Sequence, residues 1–129
     1  VAQANDLVSA LQAVRAAPFT LRLRGVGMFE RKGRTNALWA KVEESEPLTI
    51  LHRRVERACR AAGLAPETRR FVPHVTIARV NASTGPIGGW LAQHGRLTLP
   101  DWHVSRFHLY ESRLDAGGAH YEPLLEFAL

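Results

Sequence analysis

With 129 residues the chain is long enough for one compact domain and too short for two ordinary ones. A hydrophobic share of 46% and a charged share of 22% are ordinary for a globular protein and argue against disordered or fibrous structure. Lys and Arg number 17 against 12 Asp and Glu, a formal net charge of +5 that favours polyanionic partners without identifying one.

The single cysteine, Cys59, allows neither a disulfide framework nor a metal cluster, so a reducing cytoplasm is the expected location. No apolar run approaches membrane-spanning length and no basic segment precedes an apolar one at the start, so no membrane association is expected. Val1 stands where an initiator Met would, and a helical pattern begins within a few residues; the expectation is one domain over residues 1–129, incomplete at its N-terminus.

In chain order, Asn5 or Asp6 can cap a first helix whose stripe is Leu7, Val8, Leu11 and Val14, with Pro18 ending it. Phe19 to Phe29 alternates as a strand, with Gly25 and Gly27 permitting a bulge or bend. Glu30 to Asn36 has no periodicity and reads as a basic hairpin loop. A second strand spans Ala37 to Val42, and Leu48, Leu51, Val55, Ala58, Cys59 and Ala62 recur at helical spacing before Gly63. A loop, Pro66 to Arg70, leads to a strand over Phe71 to Val80. A short helix near Gly89 to His94 follows, then strands over Trp102 to Ser112 and His120 to Leu129 joined by a turn at Asp115 to Gly118. Hairpins combined with helices predict an α+β fold with a largely antiparallel sheet and helices on one side.

The most informative stretch is Phe71-Val72-Pro73-His74-Val75-Thr76-Ile77-Ala78-Arg79. On a strand His74 and Thr76 share one face, so an imidazole and a hydroxyl project side by side from a rigid element. Such a pair can hold a phosphate oxygen and move a proton at the same phosphorus. Arg79 adds a guanidinium suited to phosphate oxygens, yet strict alternation puts it on the other face with Val75 and Ile77; only a bulge or a curling side chain would bring it in.

That stretch resembles the second motif of the two-histidine (2H) phosphoesterases, in particular the RNA 2′,3′-cyclic phosphodiesterases, also called 2′-5′ RNA ligases. Gly25 to Phe29, Leu38-Trp39-Ala40, Leu109 to Ser112, Gly117, Tyr121, Leu124 and Phe127 to Leu129 agree in order, so the likeness runs through nearly the whole chain. The resemblance implies a bilobal α+β fold with antiparallel sheets, helices outside, and a site between pseudo-symmetric lobes that each supply one His-x-Thr or His-x-Ser. It places the first motif upstream of Asn5, so an N-terminal strand, helix and strand are expected to be missing. It also implies that a 2′,3′-cyclic phosphate is opened to a 2′-phosphate, with a weak reverse 2′-5′ ligation.

Two histidines are needed, one taking a proton from water and the other giving one to the departing sugar oxygen. His74 is assigned as base or acid with base preferred, and Thr76 and Arg79 as ligands of the nonbridging oxygens. No metal and no cofactor are implied; RNA ends or cyclic nucleotides are the expected partners, and a monomer is expected. His103-Val104-Ser105 has the right spacing, but Arg106 occupies the apolar fourth position and its strand aligns with a noncatalytic one. His103 and His108 are read as ordinary strand residues, and His52, His94 and His120 as solvated.

Trp39, Trp90 and Trp102 could stack on bases but read first as core. Arg22, Arg24, Arg31, Lys32 and Arg34 could guide RNA phosphates, or form a solvated basic loop. The alternative to an enzyme is a binding module of the same fold that holds a nucleotide or RNA phosphate uncleaved, or a purely structural interaction domain.

Overall fold

A computed structural model of the chain describes residues 2–81 and 83–129. Its elements are α1 (Ala2–Gln12), β1 (Phe19–Leu21), β2 (Leu23–Arg31), β3 (Arg34–Val42), α2 (Glu46–Ala61), β4 (His74–Arg79), α3 (Gly88–His94), β5 (Trp102–Val104), β6 (Arg106–Asp115) and β7 (Gly118–Ala128). Helices thus mix with antiparallel ladders, an α+β fold. The sheet orders are β2-β3-β4, β6-β7 and β1-β5. No helix among the described residues is long and apolar enough to cross a membrane.

The chain divides into two compact units. One contains α1, α2, β6 and β7. Its helices pack together through their apolar stripes, burying Leu11 beyond the middle of α1 and Leu51 and Ala58 on α2. Each such buried Leu contributes on the order of 1.5–3 kcal/mol. α2 ends as its spacing predicts: Gly63 N–H donates to the Arg60 carbonyl at 2.9 Å and Leu64 N–H to the Cys59 carbonyl at 3.1 Å, satisfying two of the last carbonyls. Phe107 and Phe127 stack across the β6–β7 ladder at 4.9 Å.

The other unit contains β2, β3, β4 and α3. β3 is the central strand, and its run Ala37 to Ala40 is buried. The expected loop at 30–36 contracts to two residues, because Lys32 (φ 55°) and Gly33 (φ 76°) make the left-handed turn whose twist matches that of the flanking strands. The ladder therefore continues to Arg31 and Arg34 through residues without alternation. The two glycines expected to bend β2 do different things. Gly25 (φ 80°) lies in a register shift between Leu23 and Val26. Gly27 pairs regularly with Trp39, and a Cβ there would come within 2.3 Å of the indole, so the ring lies on the bare Cα.

Other boundaries differ from the expected ones for local reasons. β4 begins at His74, three residues later than the apolar pattern suggests, after Pro73, which has no N–H to donate. The penultimate strand breaks at Ser105 into β5 and β6, and the first helix already begins at Ala2.

Two measurements follow from this packing. Gly27→Ala should lower stability by about 1–3 kcal/mol in urea denaturation, because the methyl must displace a packed indole. Gly88→Ala, where a Cβ meets nothing within 4 Å, should stay within about 1 kcal/mol of the parent. In α2, burial and then the neighbouring Glu56 carboxylate push the Cys59 thiol above its ordinary range. Iodoacetamide should therefore alkylate Cys59 more slowly at neutral pH than it does an unstructured cysteine peptide; equal rates would contradict this environment.

Candidate active site

The site begins with the face that β3 and β4 share. Lys41 pairs with His74, and Trp39 with Thr76. Directly opposed residues in an antiparallel ladder point the same way, so Lys41, Trp39, His74 and Thr76 occupy one face. Gly27 and Phe29 join it from β2 through their pairing with Trp39 and Ala37.

Arg79 reaches this face through an irregularity. The register runs Trp39 with Thr76, then Leu38 with Ala78, so Ile77 is an extra, unopposed residue. Past that bulge Arg79 pairs with Ala37, which has the same parity as Trp39. Strict alternation would have put the guanidinium on the opposite side. The bulge reverses it, and His74, Thr76 and Arg79 line up along one strand face.

The imidazole is held from two directions. Its Nδ1 lies 2.6 Å from the Val72 carbonyl oxygen. A carbonyl only accepts, so Nδ1 carries the proton and Nε2 is the atom left for chemistry. The ring also meets Phe29 edge-on with centroids 4.8 Å apart, and Trp39 at 5.8 Å. Phe29 and Trp39 themselves are 5.2 Å apart. These aromatic contacts fix the ring plane while His74, Thr76, Arg79 and Lys41 remain exposed. Exposed and anchored at one nitrogen, the imidazole can meet an external ligand without rearrangement.

The face combines a proton-transfer group, a hydroxyl and two cations. That set can bind an anionic oxygen and exchange a proton beside it.

The sequence model of the 2′-5′ RNA ligase superfamily matches residues 1–116. The chain belongs to that superfamily. It is 40% identical over 67 residues to the RNA 2′,3′-cyclic phosphodiesterase of Geobacillus stearothermophilus, a match covering 52% of this chain and 21% of that protein. It is 30% identical over 133 residues to the RNA 2′,3′-cyclic phosphodiesterase of Aquifex aeolicus, covering 99% of this chain and 71% of that one. The chain thus spans about a fifth of the first relative's length. Among solved structures, that of Escherichia coli LigT complexed with 3′-AMP superposes with a TM-score of 0.73 at 23% identity, covering 98% of this chain and 68% of LigT; this likeness is one of fold.

For a member of this superfamily, the remaining sequence candidates separate clearly. Ser105 lies outside β5, so His103 and Ser105 do not share one regular strand. His108 Nε2 stands 3.8 Å from a Glu126 carboxylate oxygen, and His120 Nε2 3.0 Å from Asp115. His94, expected to be solvated, packs half-buried on the Trp90 ring at 5.2 Å. Trp39 is core, whereas Trp102 is 64% exposed. The sequence reading did not single out Lys41, Phe29 or the Val72 carbonyl. Lys41's parity with Trp39 was readable, but its pairing with His74 depends on register.

In this chain the carbonyl two residues before His74 sets the tautomer. Nitrogen NMR of this chain should find neutral His74 protonated at Nδ1 and bare at Nε2. The opposite tautomer would mean that the Val72 carbonyl does not hold the ring.

Proposed function

We propose that this chain carries half of a two-histidine phosphodiesterase site that opens RNA 2′,3′-cyclic phosphate ends to 2′-phosphates. The observation that carries the reading is the bulge at Ile77, which aligns Arg79 with His74 and Thr76. A cyclic phosphate presents two nonbridging oxygens and two ester oxygens. Thr76 and Arg79 would bind the nonbridging pair, and charge growing there in the transition state would strengthen both contacts.

His74 works at Nε2. With its lone pair free, it accepts the proton of the attacking water as the new P–O bond forms. A second imidazole, which the family resemblance assigns to the first His-x-Thr motif, gives a proton to the 3′ oxygen as that P–O bond breaks. With an RNA 5′ hydroxyl in place of water, the same step forms a P–O bond to that oxygen as the 3′ P–O bond breaks, a weak 2′-5′ joining reaction; in its reverse the 3′ hydroxyl attacks and each imidazole exchanges its role. The names of the curated relatives support the phosphodiesterase reading; RNA ends and cyclic nucleotides are the substrates proposed for this chain.

The test is steady-state hydrolysis of a nucleoside 2′,3′-cyclic phosphate by a protein in which this chain is joined to the first His-x-Thr motif; the 129 residues alone should show little turnover. His74→Ala should lower kcat by about 100- to 10,000-fold. Arg79→Lys should raise KM and lower kcat because the ammonium loses the planar two-donor contact. Wild-type protein that binds the cyclic nucleotide and leaves it intact would replace this reading with that of a binding module.

A further inference from the structure

The basic residues near the site divide into two groups by their partners. Arg22 pairs with Asp101 and Arg24 with Glu43, each at 3.2 Å. Arg31, Lys32 and Arg34, at the tip of the β2–β3 hairpin, have no carboxylate within ion-pair distance among the described residues. Like charges this close repel, and the tight turn keeps them together. Their clustering costs free energy in the free protein, and a bound anion would relieve it.

These side chains line one wall of a cavity of about 820 Å³. The loop after β4 supplies the opposite wall, including Asn81 and Thr84. The two walls are tied at the base, where Val80 N–H donates to the Asn36 carbonyl at 3.0 Å. Asn36 also lines the cavity, and its side-chain Oδ1 is buried without a hydrogen-bond partner. Thr84 Oγ1 accepts the Asn81 N–H at 3.1 Å, which leaves the hydroxyl proton to be donated. The space is far larger than one phosphate, and its polar groups include both donors and an acceptor.

Register connects this cavity to the catalytic face. Arg31 follows Phe29 by two residues and pairs with Arg34, so both continue the face of Phe29, Trp39 and His74. From Trp39 to Arg34 is five residues, roughly 16 Å along the strand. A single nucleotide seated at His74 would not span that distance, whereas an extended strand would.

We propose that the cavity between the β2–β3 hairpin and the loop after β4 is a second binding site, which holds the phosphate backbone of single-stranded RNA upstream of the reacting 3′ end. Arg31, Lys32 and Arg34 neutralise phosphates, and Asn36 and Thr84 meet ribose hydroxyls or phosphate oxygens. The orientation of the strand rests on the phosphodiesterase reading; the binding itself does not. The site makes an oligonucleotide a better substrate than a cyclic mononucleotide through KM.

The test compares the full chain with the variant Arg31→Gln, Lys32→Asn, Arg34→Gln, in which Asn keeps the left-handed turn position available. Binding is measured by fluorescence anisotropy on a single-stranded RNA of about ten nucleotides ending in a 2′-phosphate. Three neutralised phosphates contribute a salt slope of about −2, so wild-type affinity should lose roughly 20-fold between about 50 and 200 mM salt through these residues, and the variant should lack that component. The circular dichroism spectrum should be equal in both proteins, which reports that the variant is folded, and so should turnover of the mononucleotide once the first His-x-Thr motif is joined to the chain. Arg31→Lys with Arg34→Lys should retain most of the salt dependence. An unchanged affinity and salt slope in the triple variant, or a wild-type protein with no preference for the oligomer over the mononucleotide, overturns the second site even if turnover is normal. Loss of RNA binding in a variant with an unchanged circular dichroism spectrum, when the wild type with both motifs turns over neither substrate, supports the second site and overturns the catalytic reading.

Discussion

The position of the Trp39 indole governs the geometry of the face that carries His74 and Thr76. The ring lies on the Cα of Gly27 across the ladder, an approach that any side chain at residue 27 would block. From there it contacts Phe29 and His74, so a glycine two strands away determines how the imidazole is packed. The buried indole Nε1 has no hydrogen-bond partner, which identifies area burial and aromatic contact as what holds the ring. The Val72 carbonyl then selects which imidazole nitrogen faces outward. Packing sets the plane and hydrogen bonding sets the tautomer.

Irregular pairing supplies what regular strands could not. A purely alternating β4 would present His74 and Thr76 on one side and a guanidinium on the other. The extra residue at Ile77 changes the parity for everything beyond it, while Trp39 and Thr76 stay in register. A second shift, between Phe29 and Glu30, leaves Asn36 unopposed on β3 at the base of the hairpin cavity. Both bulges therefore lie where polar side chains change face.

The excess of positive charge in the sequence has the same spatial selectivity. Arg22 and Arg24 are compensated by nearby carboxylates and contribute little beyond local order. The cations at the hairpin tip have no carboxylate partner among the described residues and line a cavity, because the two-residue turn brings Arg31 and Arg34 into direct pairing. A count of basic residues could not distinguish these groups.

Periodicity by itself placed the second helix and the face of the fourth strand, since Leu51, Ala58 and Ala62 must face a core at helical spacing and Val75 must lie opposite His74 and Thr76; it did not show the breaks at Arg22 and Ser105. Local chemistry also marked the nine residues from Phe71 to Arg79 as the candidate site stretch. The side on which Arg79 emerges, the pairing of Lys41 with His74, the role of Gly27 and the extent of the hairpin were decided only in the folded chain. Each depends on register between segments distant in sequence. A one-residue shift in register leaves composition and spacing unchanged yet sends a side chain to the other face of the sheet.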